Sequence, residues 1–373
     1  PYGPYSRPLL TYLICGKVSE DRMYFRPPSF YQDLNTTPLL GPKVLELDPV
    51  KQTLILTGDI KISYNKLLIA TGRKPGKLKI EGLEGKNVFH LNTLDDAREI
   101  MKVTPSSKKA LVIGTGLIGM KSAEALKTIG LEVSLVEIAG QILPLALDKG
   151  ASEVLLSFLK KTGLNFYLNN SVKEVRRRED GSIHNVLLNN GEEIPIDLII
   201  VAAGLSPSFD FIVTPHVRVN IGVIVDNYLQ TSIEDIYAAG DVSESRDTIT
   251  GKSNLSAIWP RACEQGYYAG SNMTGFRKEY LGGYGMNSVS FFGLSCITIG
   301  DVTTEREDFE VLIREDPDEN DYCKVILEKD TVRGAVIMGR ILNVSAINKL
   351  LRKRVKVRTY AHNLIEERFV FTL

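Results

Sequence analysis

Residues 108–137 read KKALVIGTGLIGMKSAEALKTIGLEVSLVE, and this stretch decides the fold class. The continuous apolar run from Ala110 to Ile113 is the composition of a strand buried on both faces of a parallel sheet. Gly114-x-Gly116-x-x-Gly119 follows, then a helical pattern through Leu126, with Gly130 as the predicted C-terminal stop. A second predicted strand, Val133 to Val136, ends in Glu137.

Each part of this order has a physical reason. Gly114 permits a tight turn, Gly116 lets the backbone approach a pyrophosphate, and Gly119 lets helix and strand pack closely. The helix start at Leu117 and Ile118 offers unpaired N–H groups and the positive end of the helix dipole to phosphate oxygens. Glu137 is placed to accept hydrogen bonds from a ribose hydroxyl and to repel a 2′-phosphate. No Arg follows it closely, which favours NADH over NADPH. A lone glycine triplet is a weak signal, since glycine turns between strand and helix are common. Strand, triplet, helix, strand and acid in this order specify a dinucleotide site.

The pattern has an echo. Asn65 to Gly72 within YNKLLIATGRKP matches Asp197 to Gly204 within IDLIIVAAGLSP: a polar start, an apolar strand, then Ala-x-Gly. Each reads as the last strand of a Rossmann-like unit, with Gly72 and Gly204 allowing close approach of backbone to ligand. A third phrase, SIEDIYAAGDVSES, ends a short strand, Ile236 to Ala239, in Gly240-Asp241. A carboxylate there suits a ligand hydroxyl or a phosphate-bound water, or else caps the next helix.

Composition narrows the function classes. The chain has 373 residues, enough for two or three domains, and its 45 basic residues cancel 45 acidic ones. That balance argues against nucleic-acid or membrane-surface partners. No run approaches the ~20 apolar residues of a membrane span. The four cysteines, Cys15, Cys263, Cys296 and Cys323, form no CxxC, which disfavours zinc, iron–sulfur and local dithiol centres and suits a reducing cytosol. No metal site is expected.

LLIATG, VIGTGLIGMKSAEAL, LIIVAAGLSP and SIEDIYAAGDV in this order resemble the FAD-dependent pyridine nucleotide–disulfide oxidoreductase superfamily. PYSRPLLTYLICGK, WPRACEQGYYAGSNMTG and MNSVSFFGLSCITIG are most similar to the branch containing NADH:rubredoxin reductases and the flavin portion of NADH-dependent nitrite reductases. The resemblance implies an α/β chain with two Rossmann-like, three-layer β/β/α nucleotide-binding domains and a C-terminal α+β domain. The NAD domain, 93–210, would be inserted in an FAD domain of 1–92 and 211–278, and 279–373 would form the interface domain.

It also implies cofactor residues. Asp241 with Gly240 would contact the ribitol or pyrophosphate of FAD, Val44, Ala70, Thr71 and Gly72 its adenosine and phosphates, and Arg7 and Pro8 would lie near the isoalloxazine. The family's first GxGxxG unit, expected before PYSRPLL, is absent from the chain as given. Lys121 stands where many relatives carry Glu near the nicotinamide. It would meet the carboxamide oxygen, or it is a solvated helix lysine. Trp259 would cover the flavin's pyrimidine edge, or it is a core residue.

Cys15 in TYLICG matches the redox thiol of single-cysteine relatives, the NADH oxidases and coenzyme A disulfide reductases. A reactive thiolate would need a cation such as Arg7 or Lys17; a small buried residue is the alternative. Cys263, Cys296 and Cys323 read as core.

The resemblance therefore implies an enzyme that passes electrons from NADH through FAD to a rubredoxin-like or iron–sulfur acceptor, or to a larger redox complex. Thiol chemistry at Cys15 and a non-enzymatic nucleotide-binding subunit are the competing functions. The C-terminal domain is expected to support dimerisation or acceptor docking. Its KLLRKRVKVR segment is either attractive to an acidic partner or a solvated basic face.

Overall fold

The computed structural model describes residues 2–366 apart from 256 and 305, and the chain divides into two compact units. The larger unit comprises 4–25, 75–204 and the chain from 287 onward; the smaller comprises 26–74 and 205–286 with the first three residues.

The larger unit is built on a five-stranded parallel sheet, ordered Val88–Phe89, Leu198–Val201, Lys109–Ile113, Glu132–Val136 and Asn165–Tyr167. Its middle strands are largely apolar because both faces are covered, with Leu111, Val112, Val133, Leu135, Ile199 and Ile200 buried. On one face Leu111, Ile113, Val136, Ile199 and Val201 pack against Val175, Val186, Leu188 and Ile194 of an antiparallel ribbon, Val172–Arg177, Ile183–Leu188 and Glu193–Pro195. Helix Leu117–Thr128 packs on the sheet as well, giving the expected three-layer β/β/α arrangement. Gly130 stops that helix as the sequence predicts: at φ +94 its N–H donates to Lys127 O, and the Leu131 N–H donates to Leu126 O.

The same unit carries a five-stranded antiparallel sheet from the C-terminal part of the chain. Its order is Met286–Phe291, Leu294–Gly300, Thr331–Met338, Asp321–Glu328, Phe309–Asp316. Helix Val344–Lys353 lies against it, burying Ile347, Leu350 and Leu351.

In the smaller unit, strand Leu67–Ile69 runs parallel to Ile236–Ala238, and a meander of Val44–Asp48, Thr53–Leu56 and Ile60–Ser63 packs beside them through Leu47 and Leu54. Helix Trp259–Met273 follows the Gly240-Asp241 turn. The sequence echo is a structural one. Leu67–Ile69 and Leu198–Val201 are both parallel strands, and the chain turns away from each at a glycine of positive φ, +65 at Gly72 and +101 at Gly204. No helix among the described residues is long and apolar enough to cross a membrane.

Candidate active site

The three glycines of the first motif have different steric standing. Gly114 sits at φ +101, and a Cβ there would fall 2.7 Å from Ala202 O. A Cβ on Gly119 would stand 2.0 Å from Gly114 O, so the helix approaches the strand at backbone contact. A Cβ on Gly116 would meet nothing within 4 Å. Gly116 also occupies the N-cap position of helix Leu117–Thr128, and no side chain caps that end. The loop's outer side is thus open, and Leu117 and Ile118 begin the helix beside it.

Glu137 lies at the end of strand Glu132–Val136, as the spacing predicts, and is 9% exposed. One of its oxygens accepts from the Thr115 N–H at 2.8 Å and the Thr115 hydroxyl at 2.9 Å; the other accepts from the Ala139 N–H at 3.0 Å. Its carboxylate therefore ties the glycine loop to the second strand. A carboxylate has about four acceptor positions, so Oε1 retains capacity for another donor. Sequence reading missed this internal role, although Thr inside the triplet was a visible donor.

Lys121 is not a solvated helix lysine. Its side chain is 16% exposed. The ammonium donates to Glu124 one turn ahead and to Ser290 O at 2.9 Å, and it lies 5.0 Å from the centre of the Tyr12 ring. Glu124 also accepts from the Phe292 N–H at 3.1 Å. This pair joins the glycine-loop helix to the turn between strands Met286–Phe291 and Leu294–Gly300, and the Tyr12 contact ties helix Leu10–Ile14 to the glycine-loop helix.

In the smaller unit the ends of the parallel strands carry a second cluster. Ala70 and Thr71 are exposed, and Thr71 Oγ1 donates to Ser208 O at 2.5 Å. Gly72 O accepts from the Ser208 N–H at 2.9 Å. Gly240, at φ +77, donates its N–H to Gln265 Oε1 at 2.7 Å, and Asp241 follows it in a short 3-10 turn. Asp241 does not cap the next helix, which starts at Trp259.

Arg73, which sequence reading passed over, stands in this cluster. Burial lowers the stability of its charge, and Asp241 opposes that effect. One guanidinium N–H donates to Leu205 O, while Nε is buried without a hydrogen-bond partner. An orphaned buried donor on a cation is the environment an anionic phosphate group satisfies. Val44 is half-buried at the start of its strand, and Trp259 is 44% exposed, so it is not a core residue.

Arg7 and Pro8 are exposed in the turn before helix Leu10–Ile14. Arg7 Nε donates to Asn92 O at 3.1 Å, and Nη2 donates to the Asn92 side chain. Cys15 is the half-buried C-cap of helix Leu10–Ile14, with its Sγ 3.5 Å from Tyr12 O. Cys296 and Cys323 are buried as expected, and burial pushes their thiols up to about 12 and about 11. Cys263 departs from expectation. It lies on the outer side of helix Trp259–Met273 and is exposed, because the helix turns Arg261, Gln265 and Ala269 inward instead.

Residues 2–266 match the model of the pyridine nucleotide-disulphide oxidoreductases. The chain belongs to this family. Membership makes it an NAD(P)H-dependent oxidoreductase with FAD and NAD(H) as cofactors. Residues 286–355 match the C-terminal domain of rubredoxin NAD+ reductases. Among pyridine nucleotide-disulphide oxidoreductases and their relatives, the epsilon subunit of an NADH-dependent phenylglyoxylate dehydrogenase from Aromatoleum evansii is 32% identical over 88% of this chain and 77% of its own length. The electron transfer subunit of assimilatory nitrate reductase from Bacillus subtilis is 27% identical over 98% of this chain, which spans 46% of that protein. The crystal structure of NADH:rubredoxin oxidoreductase from Clostridium acetobutylicum superposes with a TM-score of 0.80 over 96% of this chain and 88% of its own, at 26% identity.

Proposed function

We propose that this chain takes electrons from NADH through FAD and hands them to a rubredoxin-like iron protein. The observation that carries the reading is the joining of an open glycine loop, backed by Glu137, to a C-terminal segment similar to that of rubredoxin reductases.

In this reading Gly114, Gly116, Leu117, Ile118, Gly119, Glu137 and Gly204 hold NAD(H). The open side of Gly116 admits the pyrophosphate to the uncapped helix start. Glu137, fixed by Thr115 and Ala139, presents its remaining lone pair to a ribose hydroxyl and disfavours a 2′-phosphate. Ala70, Thr71, Gly72, Gly240, Asp241 and Val44 hold FAD, with Arg73 added for its orphaned Nε and Asp241 beside it. Arg7 and Pro8 serve the isoalloxazine, where Asn92 orients the guanidinium. Functionally, 1–92 with 211–278 serve FAD, 93–210 serve NAD, and 279–373 form the interface domain.

FAD, when bound, supplies the conversion of a hydride's electron pair into single electrons. The chain's residues contribute binding, orientation and charge; the overall reaction needs no protein general base. Each NADH oxidised to NAD+ releases one proton and reduces two one-electron acceptors. Cys15 carries no electrons in this reading; its Sγ lies against the Tyr12 carbonyl.

The test measures flavin reduction by NADH and by NADPH without oxygen, then reduction of a purified rubredoxin. NADH is expected to bleach the flavin faster than NADPH and to support rubredoxin turnover. A flavin that stays oxidised with NADH would overturn the proposal.

A further inference from the structure

In a chain with equal numbers of acidic and basic residues, the stretch from 331 to 365 contains no Asp or Glu at all. Two of its arginines are neutralised by acids of neighbouring segments. Arg333 pairs with Asp301 at 2.8 Å and with Glu328 at 2.6 Å, and Arg340 pairs with Asp321 at 3.1 Å.

Lys349, Arg352, Lys353, Lys356 and Arg358 are different. All five are exposed, and none has an ion-pair partner among the described residues. Glu328, at the end of the neighbouring strand, is already shared between Arg333 and Arg306. Asp330 offers the segment its backbone carbonyl, which accepts from the Val357 N–H at 2.8 Å.

Packing turns the five charges to solvent. Helix Val344–Lys353 buries Ile347, Leu350 and Leu351, so Lys349, Arg352 and Lys353 stand on its outer side. Past the helix, Val357 is buried between Lys356 and Arg358, which leaves both pointing outward. The helix dipole accounts for cations in the last turn, Arg352 and Lys353. It accounts neither for Lys349 a turn earlier nor for the two charges beyond the end. Like charges at positions three and four apart repel, and no acid here offsets them.

We propose that Lys349, Arg352, Lys353, Lys356 and Arg358 form the docking surface for an acidic electron-acceptor protein. The inference rests on the function proposed above and names where its acceptor lands. Much of this stripe lies within the segment similar to the C-terminal domain of rubredoxin reductases. A complementary acidic face steers the partner over roughly 8 Å at physiological ionic strength and fixes its register on the helix. Five clustered positive charges on a chain of zero net charge make a compact target for a small protein.

The experiment compares the wild-type flavin-loaded protein with Lys349→Glu/Arg352→Glu/Lys353→Glu and with the neutral triple Gln variant, which guards against misfolding by charge reversal. NADH is the donor throughout; purified rubredoxin and the neutral quinone menadione are the acceptors. The expected result is a KM for rubredoxin raised at least roughly tenfold by reversal and less by neutralisation. Menadione turnover and melting temperature stay at wild-type values. Wild-type KM for rubredoxin should also rise with salt more steeply than that of either variant.

An unchanged rubredoxin KM in both variants would overturn the docking surface while leaving the proposed function standing. A flavin that NADH does not reduce would overturn the function itself, and is read separately from menadione turnover. Tighter patch-dependent binding to duplex DNA or to anionic vesicles than to rubredoxin would overturn the assignment to a protein partner.

Discussion

Lys121 and Glu124 form an ion pair one turn apart on the glycine-loop helix, and the pair reaches out of that helix in two directions. Its cation meets Ser290 O and the Tyr12 ring; its anion meets the Phe292 N–H. With side chains 16% and 9% exposed, both charges are largely withdrawn from water. Removing one partner of such a pair leaves an uncompensated buried charge, a loss of about 3–5 kcal/mol. Lys121→Met and Glu124→Gln should each lower the denaturation midpoint clearly, and the double variant by less than their sum. Additive losses in a double-mutant cycle would show that the two residues do not act together.

The glycine triplet separates folding from binding. Gly119→Ala places a methyl 2.0 Å from Gly114 O and should cost stability as well as NADH affinity. Gly116→Ala meets open space in the protein and should leave the melting temperature near wild type. Its methyl occupies the approach to the pyrophosphate, so the Kd for NADH should rise by roughly tenfold or more. Calorimetric titration of both variants checks the split, and equal effects on stability would refute it.

Glu137 has two jobs, and they can be told apart. Glu137→Ala removes the acceptor for Thr115 and the charge that disfavours a 2′-phosphate. NADPH should gain on NADH in relative kcat/KM, and the loop should loosen. Thr115→Val keeps the carboxylate and so keeps the coenzyme preference, with a loss of about 1 kcal/mol in stability from the missing hydroxyl bond. A preference that shifts equally in both variants would assign selectivity to loop geometry and not to charge.

The cysteines give a pH test. Cys296 ordinarily ionises near 9.0, and burial raises it to about 12. A group raised in the folded state holds its proton more tightly there than in the unfolded chain. Its contribution is complete below pH 9 and is lost as pH climbs toward 12. Cys323, raised to about 11, loses its contribution over a narrower window. Melting temperature should therefore fall between these limits, and less steeply in Cys296→Ala. In native protein near pH 8 a thiol reagent should modify Cys263 first and spare Cys296 and Cys323 until unfolding.

Much of this was legible along the chain. The order of strand, triplet, helix, strand and Glu137 fixes local geometry through short-range sterics, and the repeated Ala-x-Gly endings at Gly72 and Gly204 mark equivalent strands. Contacts between distant segments were not legible. Nothing near Lys121 announces Ser290 or Tyr12, which lie far away in sequence and arrive only when the antiparallel sheet and helix Leu10–Ile14 pack against the glycine-loop helix. Arg73 is the same case, since its orphaned Nε and its neighbour Asp241 appear only after the parallel strands pair. Cys263 was misread because its helix is amphipathic, and a small sulfur residue fits either face.

The most direct test is an anaerobic titration of the flavin-loaded protein with NADH, followed by its visible spectrum. Complete bleaching at one NADH per flavin, with no long-wavelength thiolate band and an identical trace for Cys15→Ser, is the predicted result. A requirement for two NADH per flavin, or a charge-transfer band that disappears in Cys15→Ser, would contradict it and make the thiol a redox centre.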